Sequence, residues 1–301
     1  MKIGIVSDIH SNVVALKECI KHFEEQGCEE FFFLGDFISD AFYTRETMDF
    51  IYDFMESHTC HILRGNREEY MINQRSERLK GNTDRIWNKS SCCGNLLFAY
   101  EQLNDNDIDF FESLPITFRY HKEGFPDIIC CHGSPESTRE LLQLDGVNTR
   151  DWLDKIDADY LICGHTHYPG TIEHNGKCYI NNGSVGIAIK DYGLAQCTII
   201  ESVCEAGKVR WKPSFYRIPF DLVKVTQDIK NGGMIDYAPW FVNSNLLTFL
   251  TGEDLSYDML MLAMKLADER GKQNSWPIID EKCFEDAAKQ MNIPDYRKID
   301  I

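Results

Sequence analysis

The 301-residue sequence predicts an α/β protein that is followed by a helical C-terminal appendage. Three observations support this fold class. Short apolar runs alternate with longer amphipathic segments through the first two-thirds of the chain, as they do in α/β proteins. Several of the apolar runs end in Gly or in a polar residue. After about residue 219, only the spacing of apolar residues that is typical of helices remains.

The N-terminal segment predicts a strand and then a helix. Residues 3–6 are a β-type apolar run, so we expect the first strand there. Asn12 is placed to cap a helix that continues to about residue 26, because apolar residues recur on one face and Gly27 follows.

Two more strands are predicted in the next forty residues. Residues 31–34 form a second apolar run, and residues 61–63 form a third. The amphipathic segment at about 45–55 separates them. Strands that alternate with helices predict parallel pairing, because a parallel connection needs a crossover of this length.

The middle of the chain predicts helix and then further strands. Residues 83–114 have helical spacing with a polar break at Asn104. We expect strands at 116–121, at 127–131 and at 160–163. Asn175 and Gly176 lie between two short alternating runs, which is the strongest hairpin signal in the sequence.

A domain boundary is predicted near residue 219, with a core at 1–218 and a helical appendage at 219–301. Alternation continues from Leu194 to about Phe220, and four helical segments follow at about 221–230, 240–250, 257–270 and 280–291. Their apolar stripes predict a surface that docks on the core. The alternative roles are a cap over a functional site and a homo-oligomer contact.

Charge and composition limit the partners. The chain has 31 Lys and Arg against 48 Asp and Glu, a net charge of −17. Such a surface repels nucleic-acid backbones and anionic membranes unless a local cationic centre intervenes. The N-terminus lacks the pattern of a secretory signal, and no apolar run approaches the roughly 18 residues of a membrane span. With 12 Cys and no C-x-x-C pair, we expect reduced thiols and a cytoplasmic location.

The predicted strand ends carry residues that commonly bind metals. In open α/β sheets, sites form beyond the carboxyl ends of the strands, where loops can bring distant side chains together. Carboxylate, imidazole and amide donors without thiolate suit Mn, Fe, Zn, Ni or Co. The alternative interpretation makes the histidines core residues and the aspartates caps. The candidate ligands are Asp8, His10, Asp36, Asn66, His132, His165 and His167.

The order of these residues resembles the calcineurin-like metallophosphoesterase superfamily, and most closely its small bacterial and archaeal phosphodiesterases. The resemblance covers the first two-thirds of the chain and implies a two-sheet α/β sandwich flanked by helices. Protein Ser/Thr phosphatases differ, because they continue their second motif through an Asp-Arg-Gly that is absent after Asp36. The matching stretches are SDIHSN (7–12), LGDF (34–37), RGN (64–66), CHGS (131–134), GHTHYP (164–169) and NNGSVG (181–186).

The resemblance also implies a two-metal centre. The implied ligands of one metal ion are Asp8, His10 and His167. The implied ligands of the other are Asn66, His132 and His165. Asp36 is the implied bridge between the two ions. A hydroxide between the metals is the implied nucleophile, and two metals about 3.5–4 Å apart clamp the oxygens of an in-line displacement. Asn66 and His132 are expected to act directly at the phosphate.

The sequence departs from the common pattern of the superfamily at Arg67. Many relatives have a His in this place, which is their candidate for protonating the leaving group. An Arg cannot act as that acid, because its pKa is above about 12. Arg67 can either bind a phosphate oxygen or pair with an acidic neighbour. A second departure is Asn182, where relatives usually have Pro.

Two further polar residues beside the candidate ligands have open roles. Asn12 is expected to cap its helix, and the alternative is contact with substrate. Arg64 is expected to neutralise buried carboxylates.

The predicted function is hydrolysis of a small phosphodiester or nucleotide-type phosphate. Hydrolysis of a diadenosine polyphosphate is an alternative within the same enzyme class. The alternative from another class is a binding scaffold, since a retromer subunit resembles this fold and works as an interaction module. All seven ligand positions keep ligand-type residues, which favours the enzyme.

Overall fold

The computed structural model describes residues 1–205 and 207–299. Two five-stranded sheets form its centre, and helices flank them, which confirms the predicted fold class. The first sheet has the order β10-β9-β1-β2-β3, and the second has the order β4-β5-β6-β8-β7. The strands of the two sheets are β1 (Lys2–Val6), β2 (Glu30–Leu34), β3 (Cys60–Leu63), β4 (Thr117–Tyr120), β5 (Ile128–Cys131), β6 (Tyr160–Cys163), β7 (Gly170–His174), β8 (Lys177–Asn181), β9 (Leu194–Glu205) and β10 (Lys208–Pro219).

The inner faces of the sheets pack on each other. Ile5 of β1 and Phe32 of β2 belong to the same buried cluster as Cys130 of β5 and Ile162 of β6. The outer face of the first sheet is covered mainly by helices near the N-terminus, and the outer face of the second by α6. The helices are α1 (Val13–Glu25), α2 (Thr44–Ser57), α3 (Asn66–Leu79), α4 (Gly94–Tyr100), α5 (Asp105–Ser113), α6 (Val147–Lys155), α7 (Leu222–Asn231), α8 (Met234–Tyr237), α9 (Pro239–Thr251), α10 (Ser256–Glu269) and α11 (Glu281–Gln290).

The parallel pairing and the hairpin are both confirmed. β1 pairs with β2, and β2 with β3, in parallel. β7 and β8 pair antiparallel around a two-residue turn, in which Asn175 has φ 50° and Gly176 has φ 80°. Both values lie in the left-handed region that such a turn needs, and Asn and Gly reach it at least cost.

The first helix forms as its sequence predicts. The side chain of Asn12 accepts a hydrogen bond from the N–H of Ala15 at 3.1 Å, which is the expected cap. Leu16, Ile20 and Phe23 are buried against the first sheet. The capping prediction for Asn12 is therefore confirmed.

The predicted helix at 83–114 is broken into shorter pieces. A single 3₁₀ turn covers Thr83–Arg85, and α4 and α5 follow separately. The side chains of Asn104 and Asp107 each accept a hydrogen bond from the other's backbone N–H. This capping box starts a new helix at Asp105, so the polar break ends one helix and begins another.

The C-terminal part contains more than the predicted helices. Strands β11 (Asn274–Ser275) and β12 (Ile278–Ile279) form a short hairpin between α10 and α11, and two-residue strands are too short to show an alternating pattern. Val242 and Leu246 of α9 are buried against Ala41 and Tyr43 of the core. The described residues include no helix with the length and apolar content that a membrane crossing requires. The boundary at residue 219 stays a prediction.

Candidate metal centre

The loops after five strands place all seven predicted ligands around one point. Asp8 and His10 follow β1, Asp36 follows β2, and Asn66 follows β3 and begins α3. These strands lie side by side in the first sheet, whereas the strands before the remaining ligands belong to the second. The site therefore lies where the carboxyl ends of strands from both sheets meet. The ligands that the second sheet provides are His132, His165 and His167.

The first group of ligand atoms is Asp8 with two imidazoles. The Oδ1 atom of Asp8 is 3.3 Å from Nε2 of His167 and 3.9 Å from Nε2 of His10. The two imidazole nitrogens are 3.2 Å apart. These residues are the three that the resemblance assigns to one metal ion.

The second group joins both aspartates to the other two imidazoles. Asp8, Asp36, His132 and His165 each offer an atom within 4.8 Å of the others. Asn66 Oδ1 lies 3.1 Å from Nε2 of His132, so its amide oxygen points to the same place. The residues assigned to the second ion are thus brought together as well.

Both aspartates lie between the two groups. Asp36 Oδ2 is 3.4 Å from Nε2 of His132 and 3.9 Å from Nε2 of His10. Asp8 Oδ1 is 3.8 Å from Nε2 of His132, and the second group of ligand atoms also includes Asp8. The bridging role of Asp36 stays a prediction, and the geometry adds Asp8 as a second carboxylate in that position.

The donor set fits metal ions. One carboxylate oxygen of Asp8, Oδ2, accepts hydrogen bonds from Ser7 Oγ at 2.7 Å and from the N–H of His165 at 2.9 Å. The other, Oδ1, is buried and forms no hydrogen bond within the described residues. A buried carboxylate oxygen without a donor, facing imidazole nitrogens, is in the arrangement that a cation satisfies.

The backbone orients two of the imidazoles. Nδ1 of His132 lies 2.7 Å from the carbonyl oxygen of Leu34, and Nδ1 of His167 lies 2.8 Å from that of Ile187. A proton on Nδ1 donates to that carbonyl and leaves the Nε2 lone pair facing the centre. This is the usual way in which a protein fixes the tautomer of a metal-binding His.

Five of the seven ligands have a left-handed backbone. Non-glycine residues in this region are uncommon and carry strain, although Asp and His tolerate it better than most residues. The strain turns successive side chains of one loop toward the same point, as it does for Asp8 and His10. The residues with positive φ are Asp8 (53°), His10 (48°), Asp36 (54°), His165 (67°) and His167 (59°).

Glycines allow the loops to approach each other closely. A Cβ atom on Gly65 would lie 2.2 Å from Oδ1 of Asp36, and one on Gly164 would lie 2.4 Å from Oδ2 of Asp8. Real Cβ contacts are not this short, so a larger residue at either position would displace a ligand carboxylate.

The carboxylates and imidazoles shift each other's pKa. Burial raises the pKa of Asp8 and of Asp36, but the facing imidazoles, His132 first, lower both, to about 2 for Asp36. Burial lowers the pKa of His132, whereas Asp36 and Asp8 raise it to about 10. Burial and the charge of His132 lower the pKa of His165 to about 4. The ionised aspartates therefore stabilise positive charge at the centre, whether an imidazolium or a metal ion carries it.

Arg67 lies beside the centre and pairs with acidic groups. Its Nη2 atom is 2.8 Å from Oδ2 of Asp40, and its Nε atom is 3.8 Å from Oδ2 of Asp36. Its side chain is 22% exposed. Of the two roles that the sequence left open, this geometry shows the acidic pairing, and a contact with phosphate stays a prediction.

Asp40 is a residue of the site that the sequence did not indicate. Its Oδ2 atom lies 3.0 Å from Nδ1 of His10, and Oδ1 accepts a hydrogen bond from Asn95 at 2.6 Å. It is buried, and its pKa stays well below the usual value because Arg67 and His10 outweigh the effect of burial. Asp40 therefore lies against the candidate ligand His10 and pairs with Arg67, two contacts that only the fold brings about.

Glu68 is a second missed residue. Its carboxylate accepts hydrogen bonds from the backbone N–H groups of Gly65 at 2.7 Å and of Asp36 and Phe37 at 2.8 Å each. Burial and the charge of Asp36 raise the pKa of Glu68 to about 7. Glu68 joins the loop that carries Asp36 to the start of α3. Its place three residues after the N-cap Gly65 is a signal that could have identified it.

Three other polar residues noted in the sequence form their hydrogen bonds outside the two groups of ligand atoms. The amide of Asn12 caps α1 and donates to the carbonyl of Gly186 at 3.1 Å. Arg64 donates to the carbonyl of Leu114 at 2.5 Å and lies 3.7 Å from Glu69, which is part-exposed, so the expectation that it neutralises buried carboxylates is wrong. Asn182 is buried and donates to Ser7 Oγ at 3.4 Å.

The chain is similar to several known proteins. Its sequence is 24% identical to uncharacterized protein MJ0912 of Methanocaldococcus jannaschii over 244 residues, which are 75% of this chain and 91% of the relative. Its fold resembles that of PH1004 from Pyrococcus horikoshii, with a TM-score of 0.69 and 17% identity over 84% of this chain and 99% of that one. Its fold also resembles that of a metallophosphoesterase from Sphaerobacter thermophilus, with a TM-score of 0.63 and 20% sequence identity over 84% of this chain and 100% of that one.

The family comparison agrees with the fold. The model of the family described as "Calcineurin-like phosphoesterase superfamily domain" matches residues 1–201 of this chain. That range includes both groups of ligand atoms and all but the last part of the two-sheet core. The chain belongs to the calcineurin-like phosphoesterase superfamily.

Proposed function

We propose that this protein hydrolyses a small phosphoester, a phosphodiester or a nucleotide-type phosphate, with two metal ions held by the seven ligands. One observation carries the proposal. The Oδ1 atom of Asp8 is buried, has no hydrogen-bond donor among the described residues, and lies within 4 Å of three imidazole nitrogens. A chain that kept only the fold would have no need to keep this charged and strained cluster.

Metal ions of the Mn, Fe, Zn, Ni or Co type would supply a water that is nucleophilic at neutral pH and would neutralise charge on the phosphate. The role of the protein is to hold the metal ions in place. Asp8 and Asp36 provide the anionic ligands, and Asp40 and Glu68 fix the groups around them. Asn66 begins α3, so the phosphate also faces the positive end of a helix dipole.

The substrate is proposed to be small. The net charge of −17 opposes the approach of a nucleic-acid polymer along the protein surface. A single phosphoester that reaches the cationic centre is not opposed in this way, because the metal ions supply the local positive charge.

A panel of phosphoesters tests the proposal. The protein is stripped of metal, loaded separately with Mn²⁺, Fe²⁺, Zn²⁺, Ni²⁺ or Co²⁺, and assayed with bis(p-nitrophenyl) phosphate, p-nitrophenyl phosphate and diadenosine tetraphosphate. We expect metal-dependent turnover of at least one substrate. His132→Ala should abolish it, whereas His121→Ala should not, because His121 is 70% exposed and pairs with Asp127 at the surface. Full metal loading without turnover on any substrate would favour the binding scaffold.

A further inference from the structure

A cleft lies along helix α3, the helix that begins at the candidate ligand Asn66. It has a volume of about 520 Å³, which is within the usual range of small-molecule sites, about 300–1,000 Å³. Its walls come from α3, from the segment that contains Trp87, from Arg139 and from the hairpin of β11 and β12. The core and the C-terminal part of the chain therefore build it together. We call it the aromatic cleft.

Three aromatic side chains line the aromatic cleft. The ring of Trp276 lies 5.5 Å from that of Tyr70 and 6.4 Å from that of Trp87. Trp276 is 46% exposed, so the group keeps open aromatic surface. The guanidinium of Arg139 lies over the Tyr70 ring at 4.9 Å. Such a surface binds planar rings by stacking, whatever their substituents.

One polar atom in the wall lacks a partner. Gln74 is 2% exposed, and its Oε1 atom accepts a hydrogen bond from the N–H of Trp87 at 3.3 Å. Its Nε2 atom is buried and forms no hydrogen bond with any described residue. A buried amide without an acceptor costs free energy, and a ring nitrogen or carbonyl of a ligand would satisfy it.

The wall of the aromatic cleft contains as many positive as negative side chains. Arg85 and Arg139 line the cleft together with Glu77 and Asp84, so formal charge neither attracts nor repels an ion. A neutral ring with hydrogen-bonding edges suits this wall better than a phosphate does.

Helix α3 connects the cleft to the metal centre. It begins with the ligand Asn66, and Tyr70 follows about 6 Å further along its axis, with Gln74 about 12 Å from the start. The guanidinium of Arg67 lies 6.0 Å from the Tyr70 ring. A ligand with a phosphate at the metal centre can therefore extend along α3 into the cleft.

We infer that the aromatic cleft binds the base of a nucleotide-type substrate whose phosphate is at the metal centre. The substrate class is thus a nucleoside phosphoester. The base stacks on Trp276 and Tyr70 and accepts a hydrogen bond from Gln74. This inference rests on the proposed phosphoesterase function for the position of the phosphate, and it assigns a role in selectivity to the C-terminal hairpin.

Equilibrium binding tests the inference without requiring turnover. Adenosine 5′-monophosphate, uridine 5′-monophosphate and ribose 5-phosphate are titrated into the full-length protein by calorimetry. They share the phosphate and the ribose, so their difference measures the base. We expect at least one nucleotide to bind about tenfold or more tightly than ribose 5-phosphate, as stacking of a base provides.

Variants of one residue then locate the effect. Trp276→Ala should reduce the advantage of the nucleotide to less than about threefold, whereas Trp276→Phe should keep most of it because a ring remains. Tyr257→Ala is the matched control, because Tyr257 is an aromatic residue of the C-terminal part that is 66% exposed and lies outside the cleft. It should bind all three probes as the wild type does.

The outcomes separate this inference from the proposed function. Equal affinity for ribose 5-phosphate and for both nucleotides would overturn the inference, and so would an unchanged advantage in Trp276→Ala. Either result leaves phosphoester hydrolysis in place if the panel of substrates is turned over. A base-dependent affinity that Trp276→Ala removes, without turnover of any phosphoester, would support the cleft and contradict the proposed function.

Discussion

The metal centre and the aromatic cleft are neighbours on α3, but they are built in opposite ways. Five of the seven candidate ligands of the centre are buried, and five have strained backbones. The cleft has a partly exposed wall, with Trp276 46% exposed and Arg85 and Arg139 at the surface. Rigid ligands suit a step in which small displacements are costly. Open walls on loops and on a hairpin can vary without disturbing that step.

The largest expected effect comes from the centre. Asp36→Asn should lower turnover by about a hundredfold or more, because a neutral amide weakens the binding of both metal ions. The kcat on bis(p-nitrophenyl) phosphate and the metal content of the variant are measured together. Asp49→Asn is the control, since Asp49 is 60% exposed and pairs with Arg45 of its own helix. Wild-type turnover at wild-type metal content would refute the predicted bridging role.

The next largest effect is expected from removal of the metal ions, which should affect the metal centre and leave the aromatic cleft unchanged. We expect about two metal ions per chain in the purified protein, by elemental analysis. Chelation should lower the Tm by several degrees, because ions that bind only the folded state stabilise it by about 4 kcal/mol at a thousand times their Kd. Trp276→Ala should show the same Tm difference as the wild type. A protein that contains no metal and takes none up would contradict the prediction.

Glu68 tests how far the centre depends on its supporting groups. Glu68→Gln should lower the free energy of unfolding by about 1–3 kcal/mol, because an amide cannot accept all three backbone hydrogen bonds and its own N–H₂ group stays buried. Urea unfolding measures this. Glu46→Gln is the matched control, since Glu46 is in the first turn of α2 as Glu68 is in that of α3, but it is exposed. Equal losses in the two variants would assign the effect to the helix dipole alone.

Arg67 tests the departure from the common pattern. Without a side chain that protonates the leaving group, kcat/KM should fall steeply as the pKa of the leaving group rises. Arg67→Ala should raise KM or lower kcat/KM without removing an acid-side ionisation from the pH profile, and Arg67→His should improve turnover of poor leaving groups. A series of aryl and alkyl phosphodiesters measures this. A wild-type rate that does not depend on the leaving group would show that another residue donates the proton.

The smallest effect on metal content and on stability is expected from a substitution in the aromatic cleft. Trp276→Ala should leave the metal content at the wild-type value and change the free energy of unfolding by no more than about 1 kcal/mol, because Trp276 is 46% exposed and touches two other rings. Elemental analysis and urea unfolding are the measurements. Loss of metal from this variant would mean that the two regions depend on each other.

Much of the first sheet could be predicted because its signals are local. An apolar run that ends in a polar residue indicates a strand whose carboxyl end can carry a ligand, and all seven candidate ligands were chosen from such ends. Helices α3 and α6 were missed because their apolar positions are few, and the buried residues of α3 include Asn66, Glu68 and Gln74. The hairpin of β11 and β12 was too short to be recognised.

The roles of the charged neighbours could not be predicted, because they depend on contacts between distant segments. Asp40 meets His10 and Arg67 only when the loops after β1 and β2 and the start of α3 come together. Arg64, two residues before Asn66, was expected to neutralise buried carboxylates, yet its side chain donates to the carbonyl of Leu114. Proximity in sequence gives no direction for a long side chain.

The sequence by itself determined the α/β order, the parallel strands, the hairpin at Asn175 and the types of ligand that the chain offers. Periodicity, turn chemistry and donor type are properties of short segments, so they can be read one segment at a time. The tertiary structure alone decided that Asp8 Oδ1 lies among three imidazoles with no hydrogen-bond donor in the described part of the chain. It also decided that the C-terminal hairpin closes a cleft against α3. Both depend on how loops from two sheets and a distant hairpin pack, which no local pattern encodes.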